Sequence, residues 1–220
     1  MTKKIKILIW CCLLLVLLPG FRYFPKGNSW DIDNTSTTNS KLFITYSNGS
    51  DSLANNIKSN DSLSGTSNVS VDQIVSSIIS DYNSINGAFV SLAPDSDTDF
   101  SARGTNRTIT VSFGGTSGAN GGEAQQITDS SGNVTGCEVS MLSSLLESAD
   151  QLLFVLTHEI GHCLGLNHPQ DLTQAIMSYY VDSDIRRLQI DDKMGLTFLY
   201  PAVPGAGEQK NTFGLSCQSQ

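Results

Sequence analysis

All three histidines of this 220-residue chain, His158, His162 and His168, fall within one short stretch. The first two stand four apart with a glutamate beside them, as His158-Glu159-Ile160-Gly161-His162. On a helix that spacing stacks both imidazoles one turn apart on the same face. Gly165 follows, a residue able to take the left-handed conformation that ends a helix and turns the chain back. His168 then returns toward the same place. A solvated helix can carry a bare His-Glu-x-x-His by chance. Fixed spacing over the longer run, which uses every histidine in the chain, argues against chance. The pattern predicts a helix over residues 151–164, started by Ser148 or Asp150, with three imidazoles converging on one metal ion. Three neutral imidazoles leave a tetrahedral zinc one open position, the catalytic rather than the structural arrangement. Glu159 is placed to handle a water there instead of ligating the metal.

The rest of the chain must build a scaffold for that helix. Val71, Ile74, Val75, Ile78, Ile79, Tyr82 and Ile85 form one continuous helical stripe. Ser70 with Gln73 makes a capping box at its start, and Gly87 stops it. β-prone runs are expected at residues 41–46, 88–92, 107–113, 123–128 and 135–141, the last alternating Cys137, Val139 and Met141. The order is one strand, one helix, four short strands and then the histidine helix. No internal repeat and no linker interrupts it.

Lys3, Lys4 and Lys6 precede an unbroken apolar run over residues 7–18, which Pro19-Gly20 breaks. That is the layout of a secretory signal peptide, and the run is short for a membrane-spanning helix. Without an A-x-A-like cleavage site, residues 1–20 are read as a signal peptide or an uncleaved N-terminal anchor. Membrane attachment is expected only in the second case. Residues 21–40 are expected to be a flexible segment, 41–201 the folded domain and 202–220 a tail. Charged residues are only 15% of the chain, which suits an exported protein, secreted or held in the cell envelope. A net charge of −8 offers nucleic acid no basic footprint. Cys137, Cys163 and Cys217 remain after the leader. Leu156, Ile160 and Cys163 share a helical stripe turned from the imidazoles, so Cys163 points toward the sheet. If the alternating face of residues 135–141 is the inner one, Cys137 and Cys163 can form a disulfide. The other reading is two buried thiols.

The run HEIGHCLGLNH resembles the extended zinc motif of the metzincin metallopeptidases. Ala175-Ile176-Met177-Ser178-Tyr179 looks like the methionine turn that this group places beneath its metal. Residues 187–196, with their paired aspartates, and Leu199-Tyr200-Pro201 resemble the closing helix of one branch, the matrixins. The resemblance covers residues 30–201. It implies an α+β fold with a twisted, mostly parallel five-stranded sheet and two long helices. A short C-terminal subdomain would carry the methionine turn and final helix. It further implies one catalytic zinc held by His158, His162 and His168, with Gly165 and Met177 in support. The activity implied is endopeptidase hydrolysis of extracellular proteins, with zinc-bound water as nucleophile and Glu159 as general base. Substrate would lie along an edge strand containing Glu123, Ala124, Gln125 and Gln126.

The chain departs from the matrixins in three ways. No cysteine lies between Pro19 and Gly136, so their zymogen cysteine switch has no counterpart. No histidine is left for a second, structural zinc. Ser178-Tyr179 replaces the usual Tyr-Pro, which leaves Tyr179 as either an oxyanion donor or a packing residue. Protein or peptide substrate and a monomeric state are expected. Asp95, Asp97 and Asp99 could hold calcium or form a solvated loop. The rival to a peptidase is an exported zinc-binding interaction module, for which an intact Glu159 would be superfluous.

Overall fold

The computed structural model describes residues 22–23, 29–32, 41–47, 57–58, 68–94, 107–114, 121–169, 174–179 and 185–202. Residues 1–20, the calcium candidates Asp95, Asp97 and Asp99, and the tail with Cys217 lie outside them. Helix α1 (Val71–Asn83) begins at the expected capping box, with Ser70 and Gln73 each closing on the other's backbone. Its stripe buries Ile74, Ile78 and Tyr82 almost completely, worth about 1.5–3 kcal/mol for each large apolar side chain. Helix α2 (Ala149–Cys163) starts at Ser148, whose hydroxyl accepts from Gln151 N–H. Helix α3 (Ile190–Leu199) closes the domain. Among the described residues, no helix is long and apolar enough to cross a membrane.

Strands β2 (Leu42–Ser47), β5 (Leu92–Pro94), β6 (Thr108–Phe113), β7 (Gly122–Thr128) and β8 (Val134–Met141) form one sheet. Their order is β5-β2-β6-β8-β7, parallel throughout except for β7, which runs antiparallel at one edge. The expected α+β architecture with a five-stranded, mostly parallel sheet is the one observed. Ile44, Ile109 and Cys137 lie side by side in register across the three central strands, all buried. Helix α1 packs on β5 and α2, and α2 packs on β7 and β8. The Tyr82 hydroxyl donates to Thr157 O at 2.7 Å and ties the two long helices together. Short strands pair outside the sheet: β1 (Arg22–Tyr23) with β9 (Leu166–Asn167), and β3 (Ile57–Lys58) with β4 (Asn68–Val69), both antiparallel.

One expectation needs correction. The strand expected over residues 88–92 falls at Leu92–Pro94. Ala88 instead bridges Pro201, and Phe89 N–H donates to Tyr200 O at 2.7 Å, so the segment after α3 takes those backbone groups. Within residues 21–40, the described residues include Trp30, which is held by a distant part of the chain. Trp30 is 3% exposed, and its indole N–H donates to Cys163 O at 2.8 Å.

Candidate active site

The metal helix is fixed along its length before any ligand is considered. Cys163 is disulfide-bonded to Cys137, with Cα atoms 5.6 Å apart, so the bond joins α2 to the sheet from beneath. At its C-terminal end His162 O accepts from Gly165 N–H at 2.9 Å, and the carbonyls beyond it have no partner within the helix. Gln126 Nε2 donates to His162 O and Cys163 O at 3.2 and 3.1 Å, and the Tyr200 hydroxyl donates to Leu164 O at 2.7 Å. With Trp30, three separate parts of the chain close one helix end. Gly165 then turns with φ +94°, as the sequence required, and β9 carries the chain to His168.

The three imidazoles meet at Nε2. Their Nε2 atoms lie 3.1 Å (His158 to His162), 3.1 Å (His158 to His168) and 3.2 Å (His162 to His168) apart. His158 Nδ1 lies 2.6 Å from Ile176 O, and His162 Nδ1 lies 2.8 Å from Leu166 O. A carbonyl only accepts, so both Nδ1 atoms carry the proton and both Nε2 atoms present bare lone pairs. Burial lowers the pKa of all three rings, that of His162 to about 3 and that of His168 to about 4, with neighbouring imidazoles adding to the effect on these two. Neutral lone pairs facing one another at this distance repel unless a cation sits among them. Tetrahedral zinc holds its donors about 3.3 Å apart at Zn–N distances of about 2.0–2.1 Å, so the donor set fits the ion. Among the described residues, these three are the group that could hold a metal.

Glu159 is 5% exposed. Burial raises its pKa to about 7, the charge of Glu123 adds to the rise, and a hydrogen bond from the Ala124 backbone opposes it. Gly122 leaves the space its side chain occupies: a Cβ there would fall 2.8 Å from Glu159 Cγ. Met177, 2% exposed, fills the space over Gly161, where a Cβ would meet its sulfur at 2.3 Å. Asp192, 2% exposed, accepts from Ile176 N–H at 3.0 Å, Met177 N–H at 3.1 Å and Gln189 N–H at 2.8 Å. Burial raises its pKa, while those three backbone donors pull it down. Tyr179 is 55% exposed and stacks on His168, with ring centroids 4.0 Å apart.

The structure therefore brings together His158, Glu159, His162, Gly165, His168, Met177 and Tyr179. Glu123, Ala124, Gln125 and Gln126 lie on β7, an edge strand of the sheet whose only strand partner among the described residues is β8. The Gln126 side chain turns inward to the helix end. Trp30, Gly122, Asp192 and Tyr200 went unnoticed as site residues. Of these, Asp192 and Tyr200 lie in the run that resembles the matrixin closing helix, and Asp192 also sits three residues after Gln189, the spacing of a second capping box.

A helix-borne histidine pair, a third histidine beyond a glycine turn and a buried glutamate define the class, a zinc metallopeptidase domain. The matrixin family model matches residues 23–201, and the chain belongs to that family. Matrix metalloproteinase-B of Caenorhabditis elegans is 45% identical over 49 residues, which is 21% of this chain and 9% of that protein. Among solved structures, a chain of the GM1-bound form of the ECX AB5 holotoxin aligns over 83% of this chain and 87% of its own length. It does so at 14% identity and a TM-score of 0.46.

Proposed function

We propose that this protein is an exported zinc-dependent endopeptidase that cleaves extracellular proteins, with Glu159 as general base. One observation carries the reading. A carboxyl lies buried, 5% exposed, next in the chain to the first of three histidines whose Nε2 lone pairs converge. A carboxylate placed there can serve as a general base toward water at the open metal position. His158, His162 and His168 would hold a zinc ion, which would supply Lewis-acid chemistry toward a carbonyl and acidify a water there. Glu159 takes the proton from the attacking water and delivers it to the leaving amine. Tyr179 donates a hydrogen bond to the developing oxyanion, which accounts for an aromatic ring left so exposed beside a ligand. Residues 123–126 on β7, at the edge of the sheet, receive an extended substrate as an added strand, so the bond cut lies within a chain.

Export is supported by residues 1–20 and by a disulfide, which persists in oxidising compartments. A zinc-dependent casein or gelatin assay comparing the wild type with Glu159→Gln tests the proposal. We expect the variant to keep its zinc and lose about 10²–10⁴ in rate. A zinc-loaded wild type that cleaves neither protein would instead support the interaction module.

A further inference from the structure

We propose that Asp192 is a positioning residue for the metal, acting on His158 through the peptide group that joins Ile176 to Met177. This rests on the zinc reading above. The N–H of that peptide unit donates to Asp192 Oδ1 at 3.1 Å, and the carbonyl of the same unit accepts from His158 Nδ1–H at 2.6 Å. A buried carboxylate thus sits at one end of a single planar amide, with a metal-ligand imidazole at the other. A negative charge at the N–H end of an amide draws electron density toward its oxygen. Hydrogen bonds in such a chain strengthen one another by about 10–30% each. The stronger carbonyl acceptor makes the His158 ring more basic at Nε2, the atom that faces the other two ligands.

The same carboxylate also fixes where that carbonyl sits. Its Oδ2 accepts from Ile176 N–H at 3.0 Å and from Gln189 N–H at 2.8 Å. Both peptide units flanking Ile176 are thereby pinned to the first turn of α3. The carboxylate and Ile176 are buried at 2% and 0% exposure, so water does not compete for either end. Asp192 is therefore the anchor from which His158 is aimed.

Asp192→Asn keeps the shape but removes the charge, and its amide NH2 must confront at least one of the three backbone donors. Zinc affinity is measured by chelator competition on the wild type, Asp192→Asn, Asp192→Glu and Gln189→Ala. Gln189→Ala opens the capping box without touching the relay. We expect Asp192→Asn to weaken zinc binding about 10–100-fold and release zinc faster. Asp192→Glu should fall between it and the wild type, and Gln189→Ala should stay within threefold of the wild type. The cobalt-substituted Asp192→Asn protein should show a shifted visible band. Affinity within twofold of the wild type in Asp192→Asn, or an equal loss in Gln189→Ala, would overturn the relay while leaving the zinc site intact. A wild type that binds no zinc would overturn the zinc reading itself. If Asp192→Asn does not fold, histidine NMR of the metal-free wild type decides the matter. The relay requires His158 protonated at Nδ1, and an Nε2–H tautomer would refute it.

Discussion

Gly122→Ala is the most economical way to test where Glu159 works. Gly122 has none of the positive φ that its neighbour Gly121 shows at +97°, so its backbone accepts alanine without strain. The added Cβ would lie 2.8 Å from Glu159 Cγ, 2.9 Å from Glu159 Oε1 and 2.9 Å from Val155 Cγ1. Carbon contacts are comfortable from about 3.5 Å, so the glutamate must retreat by roughly 0.7 Å or rotate away. Val155 flanks the same space and limits sideways escape. A misplacement of about 1 Å at a reacting group can cost about 10²-fold, so we expect a 10–100-fold loss in kcat. Overpacking should cost about 1–3 kcal/mol of stability. The three imidazoles are not touched, so one zinc per chain should remain. The assay is kcat and KM on a quenched fluorogenic peptide, with metal analysis and urea unfolding on the same preparation. A folded, zinc-loaded Gly122→Ala protein with kcat/KM within twofold of the wild type would show that the buried position of Glu159 is not the working one.

Replacing Cys137 and Cys163 together by alanine should lower stability by about 3.5 kcal/mol, the chain-entropy value for a sequence separation of 26. An unchanged urea midpoint would contradict this. Tyr179→Phe retains the stack on His168 and removes the hydroxyl, so kcat should fall about 10²-fold with KM unchanged if the phenol serves the oxyanion. Undiminished kcat would leave Tyr179 a packing residue. Burial, with Asp192 adding to it, raises the pKa of Asp191 to about 6. A raised acid pKa means the folded state binds the extra proton. The resulting cost to stability is fully present above pH 6 and is relieved as pH falls toward the ordinary carboxylate range. Solvent reaches this side chain and screens its charge, so Asp191→Asn should gain no more than about 1 kcal/mol at pH 7.5 and little at pH 4, and urea curves showing an equal gain at both would refute it.

What the sequence made legible was local. The four-residue interval between His158 and His162, the stripe of α1 and the capping box at Ser70 each fit within a few turns of one helix, where period and chemistry fix geometry. The misplaced strand shows the opposite case. Residues 88–92 are apolar enough to read as a strand, but a segment more than 100 residues further on takes up Ala88 and Phe89 at Pro201 and Tyr200. Gly122 and Trp30 owe their importance to segments far along the chain, and no local pattern encodes an approach of that kind. Gln126 was noticed for its strand, yet its side chain serves the end of a helix 36 and 37 residues on.

The N-terminal arm has a bearing on the order in which the site can be completed. Trp30 bonds to Cys163 across 133 residues, and its own N–H bonds to the Tyr200 hydroxyl across 170. The partner of β1 is the two-residue strand just before His168. Contacts this distant must repay loop-closure entropy before they stabilise anything, so they form after the local elements. A chain delivered N-terminus first presents its arm early, but the residues that receive it arrive much later. Until Tyr200 has emerged, the end of the metal helix is unclamped, and no shorter length of chain can finish the centre.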